Sequence, residues 1–360
     1  MRWSVWLSTI FMAAFLPSCG TKDSVTPEQA PSDFPARIVA VPAGDFDGLA
    51  WLDDDQLIAG TAGVYPASSD PRLFVIGLNG RETRVRLPED AGCFRDEYIE
   101  PRLLPGGDIG AVKLCFPAGL PLPPQGSLVT VDVTSKTVRP LVSRNPVLFQ
   151  SGKEEFPISD FTVSPGLNLA VVRAGVAFCG ALAWVTAHEV EPLRVELNGP
   201  VGPWELGQAL RKNGECSSLG QAESPAWSPD GGTLAFFASP ESANFGFYDR
   251  GKAPFGLYFL AGREGKPELV LSHVTGVSDL AWSPDSRWLV FSADVSGKGR
   301  GTWAVSKTSR QVVRISDALL RSFSWSLDGK RIAALKPEVP GAGPPASSII
   351  TIDMAVLTQP

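Results

Sequence analysis

Residues 224–239 read SPAWSPDGGTLAFFAS. An apolar strand runs into Trp227, a Ser-Pro-Asp-Gly turn follows, and a second apolar strand leaves at Leu234. Proline presets the φ of the second turn position, aspartate bonds back to the backbone, and glycine accepts the left-handed conformation that follows. The stretch is therefore a strand-turn-strand hairpin. It recurs as DLAWSPDSRWLVF at 279–291 and SFSWSLDGKRIAA at 322–334. Decayed copies are GLAWLDDDQLIAG at 48–60, EPRLLPGGDIGAV at 100–112 and DFTVSPGLNLAVV at 160–172. Aligned on the tryptophan they fall at Trp51, Leu103, Val163, Trp227, Trp282 and Trp325, 43 to 64 residues apart. Periods of this size signal stacked units rather than one sandwich.

A second hairpin follows each first one. Its strand pairs are RLFVIGL with TRVRL, SLVTVDV with TVRPLV, ALAWVTA with LRVEL, GLYFLA with PELVLS, TWAVSK with QVVRIS, and IITIDM with VLTQP. Six units of two hairpins make six four-stranded antiparallel sheets, and such units in a ring form a β-propeller. Helical periodicity is nearly absent; one short helix is expected around WELGQALRKNG, 204–214. The free strand ARIVAV at 36–41 is expected to join the last unit and clasp the ring, bringing Ile38 and Val39 close to residues 347–358.

The AWSPDG motif and its copies resemble the TolB-type, WD40-like repeat. The resemblance covers nearly the whole body and is strongest over the last three units. It implies a six-bladed propeller in which Trp51, Trp227, Trp282 and Trp325 pack between neighbouring blades, with Asp230, Asp285 and Asp328 in the turns. TolB carries an amino-terminal α/β domain before its propeller. This chain has only a polar, proline-rich stretch there, so TolB's own partner is not carried over.

The amino terminus reads MRWSVWLSTIFMAAFLPSCG. One arginine, an apolar run and a small residue before Cys19 have the shape of an export signal, too short for a comfortable membrane span. LPSC resembles a bacterial lipobox, which implies cleavage before Cys19 and lipidation of its thiol. Residues 1–18 are thus expected to be a signal peptide, 19–36 a lipid-anchored flexible tether and 37–360 the propeller, outside the cytoplasm in the bacterial cell envelope. Loss of the signal leaves 31 basic against 38 acidic residues. That mildly acidic balance argues against a nucleic-acid partner.

Four further cysteines, Cys93, Cys115, Cys179 and Cys216, are expected to pair in an exported chain, since none forms a C-x-x-C. Of the three pairings, position within the units favours Cys93 with Cys115 and Cys179 with Cys216. The turns joining the first two and last two strands of each unit are tight, and the long segments fall on the opposite face. The richest is SPESANFGFYDRGKAPFG, 239–256, whose Phe245, Phe247, Tyr248, Arg250 and Phe255 match interface composition.

Signals for chemistry are sparse. His188 and His273 have no histidine or cysteine partner at metal spacing, no G-x-S-x-G elbow occurs, and Asp53-Asp54-Asp55 reads as a solvated turn. Carboxylates meeting at the ring axis would come from six distant strands, and sequence does not align them in space. No cofactor or metal is therefore expected. The chain reads as a monomeric, non-catalytic module that binds an envelope protein or glycan through its long-loop face. The alternative is a propeller enzyme, lactonase- or lyase-like, or a small-ligand receptor using the central channel.

Overall fold

The computed structural model describes residues 34–40, 46–61, 73–116, 125–141, 158–167, 170–174, 181–186, 190–193, 195–199, 202–206, 219–241, 254–337 and 347–358. The chain divides into Met1–Pro31 and Ser32–Pro360, and every described residue belongs to the second unit. After β1 (Ala36–Ala40), the first sheet orders β2 (Phe46–Trp51), β3 (Gln56–Thr61), β4 (Leu73–Gly77) and β5 (Glu82–Val85) as they follow in the chain. The second does the same with β6 (Arg95–Leu103), β7 (Ile109–Phe116), β8 (Gln125–Asp132) and β9 (Thr137–Pro140). The third has β10 (Ile158–Val163), β11 (Ala170–Ala174), β12 (Ala181–Val185) and β13 (Val190–Pro192).

A separate hairpin pairs β14 (Val195–Gly199) with β15 (Gly202–Leu206). A seven-stranded sheet follows: β16 (Leu219–Trp227), β17 (Thr233–Glu241), β18 (Phe255–Ala261), β19 (Pro267–Trp282), β20 (Trp288–Val295), β21 (Gly299–Ser306) and β22 (Val312–Ser316). The last sheet holds β23 (Arg321–Trp325), β24 (Arg331–Pro337) and β25 (Ser347–Asp353), and its fourth strand is β1. Ile38 pairs with Ile350 and Ala36 with Ile352, so the two ends of the body share one sheet.

Three sequence expectations need correction. The fourth strand of the third sheet is Val190–Pro192, not LRVEL; residues 195–199 turn into the β14–β15 hairpin instead. Trp204, Glu205 and Leu206, expected in a helix, lie in β15. The described residues of VLTQP, Val356 to Thr358, add no strand: α1 (Ala355–Thr358) is helical. The reason is that β1 already occupies the free edge of β25. The Asp353 side chain accepts the Ala355 amide at 2.9 Å, turning the chain away, and Leu357 buries beside Phe34 and Met354.

Apolar faces join the sheets into a propeller-like ring. Ala50, Ile58 and Tyr98 link the first sheet to the second, and Val112, Phe161 and Ala183 the second to the third. Leu182 and Trp184 meet Phe236 and Tyr258 of the seven-stranded sheet. Val290 and Ala304 meet Trp325 and Ile332, and Trp51 and Leu57 close the circuit against Leu335 and Ile349. Indoles staple these seams. Trp282 Nε1 donates to the carbonyl of Ala226 at 3.0 Å, Trp325 to Ala281 at 3.2 Å and Trp51 to Ser324 at 2.9 Å. Each acceptor directly precedes the tryptophan position of the neighbouring repeat. Trp227 breaks the pattern: its Nε1 has no hydrogen-bond partner, although its backbone amide reaches Thr162 Oγ1 at 2.9 Å.

The turns after the tryptophans are built alike. Ser228, Ser283 and Ser326 each donate a hydroxyl to the aspartate two residues on at 2.6 Å. Each hydroxyl also accepts the amide of the residue five positions on, at 2.9 Å. Gly231 and Gly329 take the left-handed conformation the turn requires, with φ of 71° and 69°. Ser286 fills the same place at 60° in the copy that lacks the glycine. Ser326 is 1% exposed. Ser326→Ala strands the Arg331 amide and takes one of the hydrogen bonds from the Asp328 carboxylate, which keeps the Lys330 amide, and should cost about 1–3 kcal/mol. Urea unfolding should show a lower midpoint at unchanged slope, whereas Thr308→Ala on an exposed turn should move stability by less than about 0.5 kcal/mol.

Candidate functional site

The first strand of each repeat faces the ring axis: β2, β6, β10, β16, the second half of β19, and β23. Each is interrupted by a bulge around the residue three before the tryptophan position. A bulge bends its strand and re-aims a side chain. The residues at that position are Gly48, Glu100, Asp160, Ser224, Asp279 and Ser322. Four of them have left-handed φ, at 98° for Gly48, 50° for Glu100, 52° for Ser224 and 56° for Ser322. For residues other than glycine this conformation carries a cost of about 1–3 kcal/mol, borne where the surroundings over-determine it. At Gly48 there is also no room, since a Cβ would lie 2.5 Å from Pro101 Cδ and 2.7 Å from Glu100 Cα. The bulges bond around the ring: the Ser322 amide donates to Asp279 Oδ2 at 2.5 Å, and the Gly48 amide to Ser322 Oγ at 3.2 Å.

Among the described residues, two spaces lie along the axis. Toward the tight turns is a cavity of about 360 Å³, walled by Phe161, Trp227, Trp282, Phe323 and Trp325. Its rim is the residue two past the tryptophan position in five repeats: Pro105, Pro165, Pro229, Pro284 and Leu327. Leu327 is 55% exposed. Leu49, Arg102, Leu280 and Phe323 line both this cavity and a second, smaller void of about 10 Å³, which Glu100 and Asp279 also border.

The smaller void sits in a charged cluster. Arg102 Nη2 lies 2.7 Å from Asp160 Oδ1 and 3.4 Å from Glu100 Oε2. Burial pushes the Glu100 carboxyl well above the usual carboxylate range, and the charges of Asp160, Asp279 and Asp47 add to the rise against the pull of Arg102. Burial opposes the charge on Arg102, but Asp160, Glu100 and Asp279 outweigh it and hold the guanidinium ionised. Arg102 thus sits as a tethered cation among carboxylates. Among the described residues, the only group with three metal-type ligand atoms within 4.8 Å of one another is Cys93, Asp96 and Cys115.

The residues singled out from sequence fall into three sets. Trp51, Trp282 and Trp325 are buried in the seams, and Asp230, Asp285 and Asp328 close turns. Partial burial works against ionisation of Asp230, yet hydrogen bonds from Lys307, Ser228 and the Gly232 amide hold it down to about 2. Cys93 and Cys115 form a disulfide with Cα atoms 5.3 Å apart. Asp53, Asp54 and Asp55 are exposed in their turn, and His273 is an exposed residue of β19. Phe255 needs correction. It is not part of an exposed binding loop but begins β18, 3% exposed, in the core with Leu257 and Val274. Phe245, Phe247, Tyr248, Arg250, Cys19, Cys179, Cys216 and His188 lie outside the described residues. The axial group of Asp47, Glu100, Arg102, Asp160 and Asp279 was not singled out. Its signal is the alignment column three before the tryptophan, where three of six copies are acidic.

No family model and no curated protein matches the chain. Solved propeller structures are similar to it. Regucalcin, a calcium-binding protein of Agrobacterium tumefaciens, is 12% identical, with 89% of this chain and 95% of that one covered and a TM-score of 0.51. TolB of Acinetobacter baumannii is 15% identical over 87% of this chain, with a TM-score of 0.48; the match spans only 65% of that protein. An oligogalacturonate lyase in complex with manganese is 13% identical, covering 91% and 93% of the two chains, at 0.46. At these identities the likeness concerns the fold alone: an all-β, propeller-like ring of four-stranded sheets.

The raised carboxyl makes a signed prediction. An acid whose folded value lies above its unfolded value binds more protons when folded, so stability is full below the unfolded value and falls as pH rises toward the folded one. Glu100→Gln keeps the neutral form at every pH. Denaturant titrations should show wild type losing stability relative to Glu100→Gln as pH rises above the ordinary glutamate range. Parallel curves would contradict it.

Proposed function

We propose that this chain is a six-bladed β-propeller, tethered in the bacterial cell envelope through a lipidated Cys19, that acts as a non-catalytic module binding a protein or glycan at the mouth of its axial cavity. Dividing the seven-stranded sheet at β19 supports this blade count. That strand pairs with β18 through residues 267–274 and with β20 through 274–282, so one strand ends a blade and begins the next. Export accords with the signal-like terminus, and the Cys93–Cys115 disulfide fits an oxidising compartment.

One observation carries the binding reading. Five repeats deliver the same position, a proline or Leu327, to the rim of one tryptophan-walled cavity. Concave apolar sites with a few polar groups are where ligands bind. Phe255 packs in the core, so the loop face loses one of its expected anchors and the reading moves to the turn face. The channel-enzyme or small-ligand alternative is favoured by a different feature: a carboxyl pushed by burial well above the usual carboxylate range beside Arg102 is the kind of perturbed group that active sites use.

Photoreactive residues at Leu327 and at Phe247, compared in cells, test the site. Adducts should form from Leu327, and adducts from Phe247 alone would return binding to the loop face. Fractionation tests the anchor, because Cys19→Ala should release the protein from membranes; a variant that stays membrane-bound defeats the lipoprotein reading.

A further inference from the structure

In the β6–β7 ladder Asp96 lies opposite Cys115 and Tyr98 opposite Lys113. Residues two apart on a strand share a face, so these four side chains stand on one side of the ladder. Cys93 joins them through its bond to Cys115. One ligand-type atom from each of Cys93, Asp96 and Cys115 lies within 4.8 Å of the others.

Asp96 is 8% exposed. Its Oδ2 accepts the Asp90 amide at 3.1 Å and pairs with Lys113 Nζ at 3.4 Å. Its Oδ1 is buried and has no hydrogen-bond partner, and the same holds for the wholly buried Tyr98 Oη. Bare buried polar atoms are rare in native folds, and a missing ion or water is a standard explanation for one. Here the bare oxygen belongs to the carboxylate that is grouped with two sulfurs. While the sulfurs are bonded to each other they are poor ligands. Once reduced, they are among the best for a borderline-soft metal.

We propose that reduction of the Cys93–Cys115 bond converts this corner into a Zn²⁺ site, with both Sγ atoms and Asp96 Oδ1 as ligands. The S–S bond breaks on taking up two electrons and two protons from a thiol reductant, which leaves as its own disulfide. Zn²⁺ then binds both sulfurs, their protons pass to solvent, and a water completes a four-coordinate shell. Lys113 and the Asp90 amide hold Oδ2, leaving Oδ1 as the carboxylate atom free for the ion. In either redox state the segment before β6 stays clamped to the end of β7, by a covalent bond when oxidised and by the metal when reduced.

The test uses the full chain, reduced with dithiothreitol that is then removed anaerobically. Zn²⁺ alone is the probe, and iodoacetamide labelling is read peptide by peptide. Zn²⁺ should slow alkylation of Cys93 and Cys115 by about 10-fold or more, Asp96→Asn should abolish most of that protection, and the oxidised chain should retain no metal at this pair. Equal alkylation with and without Zn²⁺, or protection that survives Asp96→Asn, overturns the proposal. Tryptophan fluorescence monitors the fold. A reduced chain that unfolds and regains neither fold nor protection on adding Zn²⁺ counts equally against it.

Discussion

The structure depends on how one sheet wedges against the next. A four-stranded sheet with two apolar faces is not stable alone, because each face needs a partner. Here every face gets one, and the indoles set the spacing. Trp51, Trp282 and Trp325 each bury a large apolar surface and finish with an N–H on the neighbour's backbone. Tryptophan suits the place because it combines that surface with one directional donor. The carbonyls it meets belong to Ala226, Ala281 and Ser324, which stand in register with the second strand of their own repeat. Cations add to the seams: Arg331 stacks 4.8 Å from the Trp51 ring and donates to the Asp54 carbonyl at 3.0 Å. Lys307 reaches across from its own repeat to Asp230 at 2.7 Å.

The same wedging produces the axis. Sheets packed in a ring leave their first strands converging, and strands that converge must bend to avoid one another. The bulge three residues before the tryptophan position is that bend. It explains why the left-handed residues gather there and why Gly48, pressed against Pro101, has no side chain. It also explains why carboxylates from separate repeats crowd together at Glu100, Asp160 and Asp279. Burying like charges side by side is expensive. The chain answers with Arg102 and with a glutamate driven toward its neutral form. Removing one partner of such a buried pair costs about 3–5 kcal/mol, so Arg102 and Asp160 are held for the fold as well as for any ligand in the cavity above.

The hairpins were legible because their information is local. Proline, aspartate and glycine act on the backbone within four residues, and alternating apolar residues on either side report a strand. The pairing of β1 with β25 was legible in part: the free strand was expected to join the last unit, but the place beside β25 that it takes had been given to VLTQP. The errors came where two local readings compete. VLTQP has strand-like composition, but its edge was already taken. LRVEL looks like the partner of ALAWV, but Val190–Pro192 reached that edge first. Phe255 looked like part of an aromatic loop because Pro254 and Gly256, both residues typical of turns, flank it.

By itself the sequence determined the repeat, the hairpin chemistry, the all-β class and the cysteine inventory, all of which act over a few residues or through a count. Tertiary structure alone decided that Glu100, Arg102, Asp160 and Asp279 share one buried space, that Pro105, Pro165, Pro229, Pro284 and Leu327 rim one mouth, and that Asp96 stands with two sulfurs. The reason is distance along the chain. Residues tens to hundreds of positions apart meet only once every sheet has found its neighbour, and nothing local in Glu100 or Asp279 records which charge it will face.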